Sequence, residues 1–165
     1  MTGGSLEGRT MAGVYKSEGA AKRAHDQYRG YLSQWPVPNE QLYVPTCEGR
    51  TFVVVSGPKD ALPVILLHGT MATAAMWMGD VIRWAQHFRV YAPDIIGDAG
   101  LSAPSRPSMA TAAHALWLED VMQELDVPKA SLVGISLGGW LALDFAIRRP
   151  ERVTGLVLMT PGQTA

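Results

Sequence analysis

The sequence predicts an α/β protein built on a doubly wound, mostly parallel sheet, with an antiparallel hairpin at its N-terminal end. Two observations carry that prediction. From about residue 62 onward, short apolar runs alternate with stretches of helical periodicity, and breakers are set between them. The runs themselves, such as Val64-Ile65-Leu66-Leu67, are continuous rather than alternating, as expected of strands covered on both faces.

Residues 1–13 are glycine-rich and patternless and read as a disordered leader, with a second methionine at Met11. Residues 14–40 read as a helix and a linker. Ala24, Tyr28, Tyr31, Leu32 and Trp35 fall at helical spacing over residues 18–35, and Pro36 ends the run. Two β-rich segments, 41–46 and 51–56, flank Glu48-Gly49-Arg50 and predict a hairpin. Past the Gly57-Pro58 break, residues 64–67 predict a strand, and Met78, Val81, Ile82 and Ala85 a helix. A strand at 90–93 follows. Leu118, Val121, Met122 and Leu125 then mark a helix starting near Ser108. Residues 131–135 predict a strand, 137–149 a helix closed by Pro150, and 153–159 another strand. The total is about six strands and four helices, with one domain over residues 41–165.

Composition narrows the function classes. Of 165 residues 47% are hydrophobic and 18% charged, which suits a globular chain rather than a disordered one. Lys and Arg number 14 against 15 acids, for a net charge of −1 with no basic block, so nucleic acid is not an expected partner. The apolar runs fall far short of the ~20 residues of a membrane span. No basic region followed by an apolar stretch opens the chain. The lone Cys47 has no second cysteine or nearby histidine and reads as a bystander thiol. The expectation from these features is a cytosolic protein that uses no metal and no cofactor.

The chemistry is concentrated at Gly134-Ile135-Ser136-Leu137-Gly138-Gly139, where a strand run meets a helical run. A serine there sits on a sharp, strained turn, and larger side chains at Gly134 and Gly138 would collide across it. The turn lifts the hydroxyl above the sheet, and the following helix aims its first N–H groups at the site. Ser136 is therefore the candidate nucleophile. Acyl transfer also needs donors for a developing oxyanion. The amide of Leu137 is one candidate. The other is the amide of Thr70, in the loop Leu67-His68-Gly69-Thr70 that ends an earlier strand.

With His68-Gly69, the loop from Asp94 through Gly97, Asp98, Ala99 and Gly100 to Ser102, and residues 134–139 in this order, the chain resembles the α/β-hydrolase family from about Gln41 to its end. The helix before the first strand and the run Asp94-Ile95-Ile96-Gly97-Asp98 are similar to those of bacterial carboxylesterases. The middle loop departs from the family pattern Asp-x-x-Gly-x-Gly-x-Ser by one extra residue and by Ala99 in place of the second glycine. The resemblance implies an α/β-hydrolase fold, truncated here after about six strands. It also implies a serine hydrolase that cleaves a small-molecule carboxylic ester through an acyl-enzyme at Ser136. A C–C bond hydrolase, a peroxidase-like member, or a non-catalytic or fragmentary form of the same fold are the alternatives. Dehalogenases and epoxide hydrolases need an aspartate where Ser136 stands.

Family order runs serine, acid, histidine. It gives His68, Gly69, Asp94, Gly97 and Asp98 structural roles, with His68 shaping its loop and the two aspartates tying the 94–104 loop to backbone amides. His25, His87 and His114 read as surface residues of helices, and Trp77, Trp84 and Trp117 as packing. After Ser136 the only acids are Asp144 and Glu151, and there is no histidine. The triad acid and base are thus expected outside this sequence, and nothing in it speaks to the oligomeric state.

Overall fold

A computed structural model describes residues 14–160. The leader reading (1–13) and the last five residues lie outside the described range. Helix α1 (Glu18–Leu32) starts where the Ser17 hydroxyl accepts the Ala20 amide at 3.2 Å, with Glu18 in the first turn and Arg29 in the last, each suited to the helix dipole. It stops three residues earlier than the periodicity predicts. Gln34 and Trp35 tighten into turns on the Tyr31 and Leu32 carbonyls ahead of Pro36. Trp35 instead donates its indole N–H to Ser56 Oγ at 3.0 Å, pinning the linker to the sheet.

The hairpin forms from β1 (Asn39–Val44) and β2 (Thr51–Ser56), antiparallel in the register Leu42 to Val53, so the first strand begins inside the expected linker. β3 (Leu62–Leu67), β4 (Phe88–Pro93), β5 (Ala130–Ile135) and β6 (Val153–Met159) complete one six-stranded sheet in the order β1-β2-β4-β3-β5-β6. β2 meets β4 antiparallel, and β4, β3, β5 and β6 run parallel.

The continuous apolar strands are covered on both sides. Val53, Val55, Ile65, Leu67 and Leu132 pack with Trp117, Leu118 and Phe145 of α3 (Ala113–Glu124) and α4 (Leu137–Arg148). Their neighbours Phe52, Val54, Val64 and Leu66 face the other way, onto Tyr28 and Leu32 of α1 and Trp77 and Val81 next to or within α2 (Met78–Trp84). This period-two division of β2 and β3 is what makes the sheet a buried middle layer. Trp117 is fully buried and bonds Thr51 Oγ1 at 2.7 Å, so it packs as expected.

Two helix readings need correction. α3 begins at Ala113, not near Ser108, because Ser108 and Thr111 fold the preceding residues into turns: Ser108 Oγ takes the Ala110 amide and Thr111 Oγ1 the Ala113 amide. His87 lies in the turn after α2 rather than in a helix. β6 forms the sheet edge, and Leu156 and Val157 on it are exposed. Among the described residues no helix is long and apolar enough to cross a membrane.

Candidate active site

The carboxyl ends of β3 and β5 lie side by side, Leu67 paired with Gly134, so the loops that follow them must meet. Ser136 is the turn between β5 and α4. Its backbone sits at φ 51, ψ −115, a sparsely populated region for a residue with a Cβ. The turn is held by Ser136 N–H donating to the Met159 carbonyl at 3.0 Å and Gly138 N–H to the His68 carbonyl at 3.1 Å. Both glycines are sterically required. A Cβ on Gly134 would be driven into the Gly138 carbonyl, and one on Gly138 into the Leu67 carbonyl. Gly69 lies against the serine, since a Cβ there would come within 3.6 Å of Ser136 Cβ.

The His-Gly loop distributes its amides unevenly. Met71, at φ 61, gives its N–H to both Asp98 carboxylate oxygens at 2.9 and 3.0 Å, and Ala72 gives its own to the Gly69 carbonyl. Among the described residues no acceptor is seen for the amides of Thr70 or Leu137, and both residues line one cleft of about 320 Å³. A larger cleft of about 550 Å³, walled by Val37, Ile82 and Arg89, contains no part of this constellation.

His68 is fully buried, and both ring nitrogens are engaged. Nε2 accepts the Ile95 amide at 2.9 Å, which places the proton on Nδ1, 2.8 Å from the Gly69 carbonyl. The imidazole ties the ends of β3 and β4 together and has no lone pair left for Ser136.

Asp94, also fully buried, is a hub. Its Oδ1 accepts Tyr28 OH at 2.9 Å and the Ala74 amide at 2.8 Å, and its Oδ2 accepts the Leu101 amide at 2.9 Å. Burial pushes the carboxyl above the usual range, against the pull of the Leu101 and Ala74 amides. Burial, together with Asp94, also holds the Tyr28 phenol well above its ordinary value, so it remains a donor. Gly97 takes φ 69, which suits glycine.

The structure also resolves the irregular middle loop. Gly100, rather than position 99, is the glycine against Asp94: a Cβ there would lie 2.7 Å from Oδ2. Ser102 then donates to the Asp94 carbonyl at 2.6 Å and accepts the Phe52 amide at 2.9 Å. The extra residue falls between Gly97 and Gly100, and the rest of the family pattern continues in register.

One histidine reading is overturned. His114 is not a surface residue: it is 7% exposed and lines the cleft with Thr70 and Leu137. Nothing in the local pattern of α3 marks it as facing a cleft. The Cys47 thiol is pushed up to about 11 by desolvation and the Asp120 carboxylate, which leaves it protonated at neutral pH. Among the described residues no cluster of three His, Cys, Asp or Glu side chains is placed to hold a metal ion.

The chain belongs to the α/β-hydrolase family: the profile described as alpha/beta hydrolase fold matches residues 63–165, a stretch that takes in His68, the Asp94 loop and Ser136. Within that family it is similar to carboxylesterase YbfK of Bacillus subtilis, with 43% identity over 141 residues covering 86% of this chain and 48% of that protein. The crystal structure of the same esterase superposes with a TM-score of 0.82 over 87% of this chain and 50% of its own. That of the Bacillus subtilis naproxen esterase (carboxylesterase NP) gives 0.84 at 38% identity, over 90% of this chain and 52% of its own. The chain thus spans about half the length of the relatives it matches.

Proposed function

We propose that these residues form the nucleophile-bearing half of a serine carboxylesterase. Ser136 attacks the ester carbonyl, and the amides of Thr70 and Leu137 receive the oxyanion. The ester C–O bond breaks to release the alcohol and leave an acyl-enzyme, and water then hydrolyses it to free the acid and the serine. The observation that carries this reading is the strained serine turn packed against Gly69 of a loop whose Thr70 amide has no acceptor among the described residues. The likeness to carboxylesterases supports the choice of an ester as substrate.

The described residues do not supply the general base. His68 has both nitrogens engaged, His25 and His87 lie outside the lining of the Thr70–Leu137 cleft, and His114 makes no hydrogen bond to Ser136. Turnover is accordingly proposed for a protein of the relatives' length that contains this half. The test is p-nitrophenyl acetate hydrolysis by such a chain. Ser136→Ala should lower kcat by roughly a thousandfold or more. Ser56→Ala, remote from the site, should retain most of it. Wild-type turnover in Ser136→Ala refutes the proposal. Ser102 makes a poor control, because its hydroxyl holds the Asp94 loop to β2.

A further inference from the structure

The cleft beside Thr70 and Leu137 is walled in part by Ile96, Pro107 and Met109, as an apolar substrate arm requires. Two nitrogen-bearing side chains also line it. The imidazole of His114 is set edge-on to Trp140, ring centres 6.3 Å apart. Its Nδ1 is sealed from solvent with no hydrogen-bond partner among the described residues, whereas Nε2 is not sealed in this way. Burial lowers the affinity of this ring for a second proton, in spite of Glu48 and Asp144, so it is neutral at neutral pH. An orphaned buried N–H is rarer than an unused acceptor, which puts the single proton on the less buried Nε2 of a residue that lines the cleft.

Arg106, an exposed residue, lines the same cleft. Its stem packs on Gly97, where a Cβ would come within 2.5 Å of Arg106 Cγ, and its Nε–H donates to the Gly97 carbonyl at 2.8 Å. Its terminal nitrogens form no ion pair among the described residues. Asp98 shares this wall, but its carboxylate is committed to the Met71 and Ala99 amides.

We propose that this cleft takes esters that carry a second, anionic oxygen group, a carboxylate, held by the guanidinium of Arg106 and the Nε2–H of His114. The proposal rests on the reading of Thr70 and Leu137 as the oxyanion donors at the reacting end. A purely aliphatic arm would cover the imidazole N–H without giving it a partner, and would leave the exposed Arg106 guanidinium unused. A carboxylate satisfies both through charge-assisted hydrogen bonds, and arginine presents a planar fork that matches its geometry. The specificity is therefore for half-esters of dicarboxylic acids, or for comparable esters with a free acid group.

The ¹⁵N-labelled chain, titrated by NMR with monoethyl succinate and with ethyl butanoate, compares two esters of equal chain length that differ in one carboxylate. The expected result is binding of the succinate half-ester at least about tenfold tighter, from the usual worth of a charged hydrogen bond. Both probes should shift the Thr70 and Leu137 amides. Arg106→Gln should abolish the preference, while His114→Gln, which keeps a donor, should retain part of it. The comparison of the two probes on the unaltered chain needs no variant to fold. Equal affinities with both amides shifting overturn the proposal and leave the oxyanion assignment standing. Shifts that bypass both amides overturn the two together.

Discussion

Relieving the backbone at Ser136 should stabilise the fold, and the size of the effect can be worked from its geometry. At φ 51, ψ −115 the residue occupies a region that a Cβ disfavours, and neither serine nor alanine escapes that. Such strain is worth about 1–3 kcal/mol. Glycine removes it but adds chain entropy in the unfolded state, which costs roughly 0.5–1 kcal/mol. The Ser136 side chain makes no capping hydrogen bond to α4, so little else is lost on replacing it. Ser136→Gly should therefore exceed Ser136→Ala in stability by roughly 0.5–2 kcal/mol. For a chain of 165 residues, at about 2.1 cal/mol/K of unfolding entropy per residue, that is a rise of roughly 1–6 °C in Tm. Differential scanning calorimetry of the two variants side by side measures it, with the alanine variant cancelling the loss of the hydroxyl. A glycine variant that melts at or below the alanine variant would mean the turn is unstrained, and would remove the physical argument that picks out Ser136.

Two further predictions follow from the same geometry. Gly138→Ala pushes a methyl into the Leu67 carbonyl and should cost about 1–3 kcal/mol in urea unfolding, whereas Gly30→Ala, with open space beside it in α1, should stabilise by about 0.5–1 kcal/mol; equal effects at the two sites would contradict the packing. For His114, burial lowers the native pKa below the 6.5 of the free side chain, so the unfolded state binds its proton more readily. Its contribution to stability is then fully present above pH 6.5 and is lost as pH falls through the native value. His114→Phe should flatten the fall in Tm between pH 7.5 and 5, and an unchanged pH profile would place the imidazole in water.

What the sequence made legible is what short-range chemistry encodes. The continuous run at β3 announced a strand buried on both faces because its alternate residues feed two separate cores; β2 does the same, but its segment reads only as half of a hairpin. Gly134 and Gly138 announced the turn because a Cβ at either meets backbone within a few residues or on the adjacent strand. The 94–102 loop was half legible. Its aspartate stood out, but Ala99 drew attention from Gly100, and only the position of the Asp94 carboxylate shows which glycine matters. The start of α3 was misread because apolar spacing carries no record of Ser108 and Thr111 closing turns of their own. The Tyr28 bond to Asp94 joins residues 66 apart, and no local pattern announces it. His114 and Arg106 were illegible as a pair for the same reason: one opens a helix, the other follows a loop, and only the fold brings them to one cleft.

If Ser136 is the residue that becomes acylated, covalent trapping should find it. A chain of the relatives' length carrying this half would be treated with a fluorophosphonate, which phosphonylates only an activated nucleophile, then digested with trypsin and mapped by mass spectrometry. Cleavage after Lys129 and Arg148 yields a peptide with two serines, Ser131 and Ser136. One adduct is expected, located by fragmentation on Ser136 and absent from Ser136→Ala. An adduct on another residue, or one that persists in Ser136→Ala, would contradict that assignment.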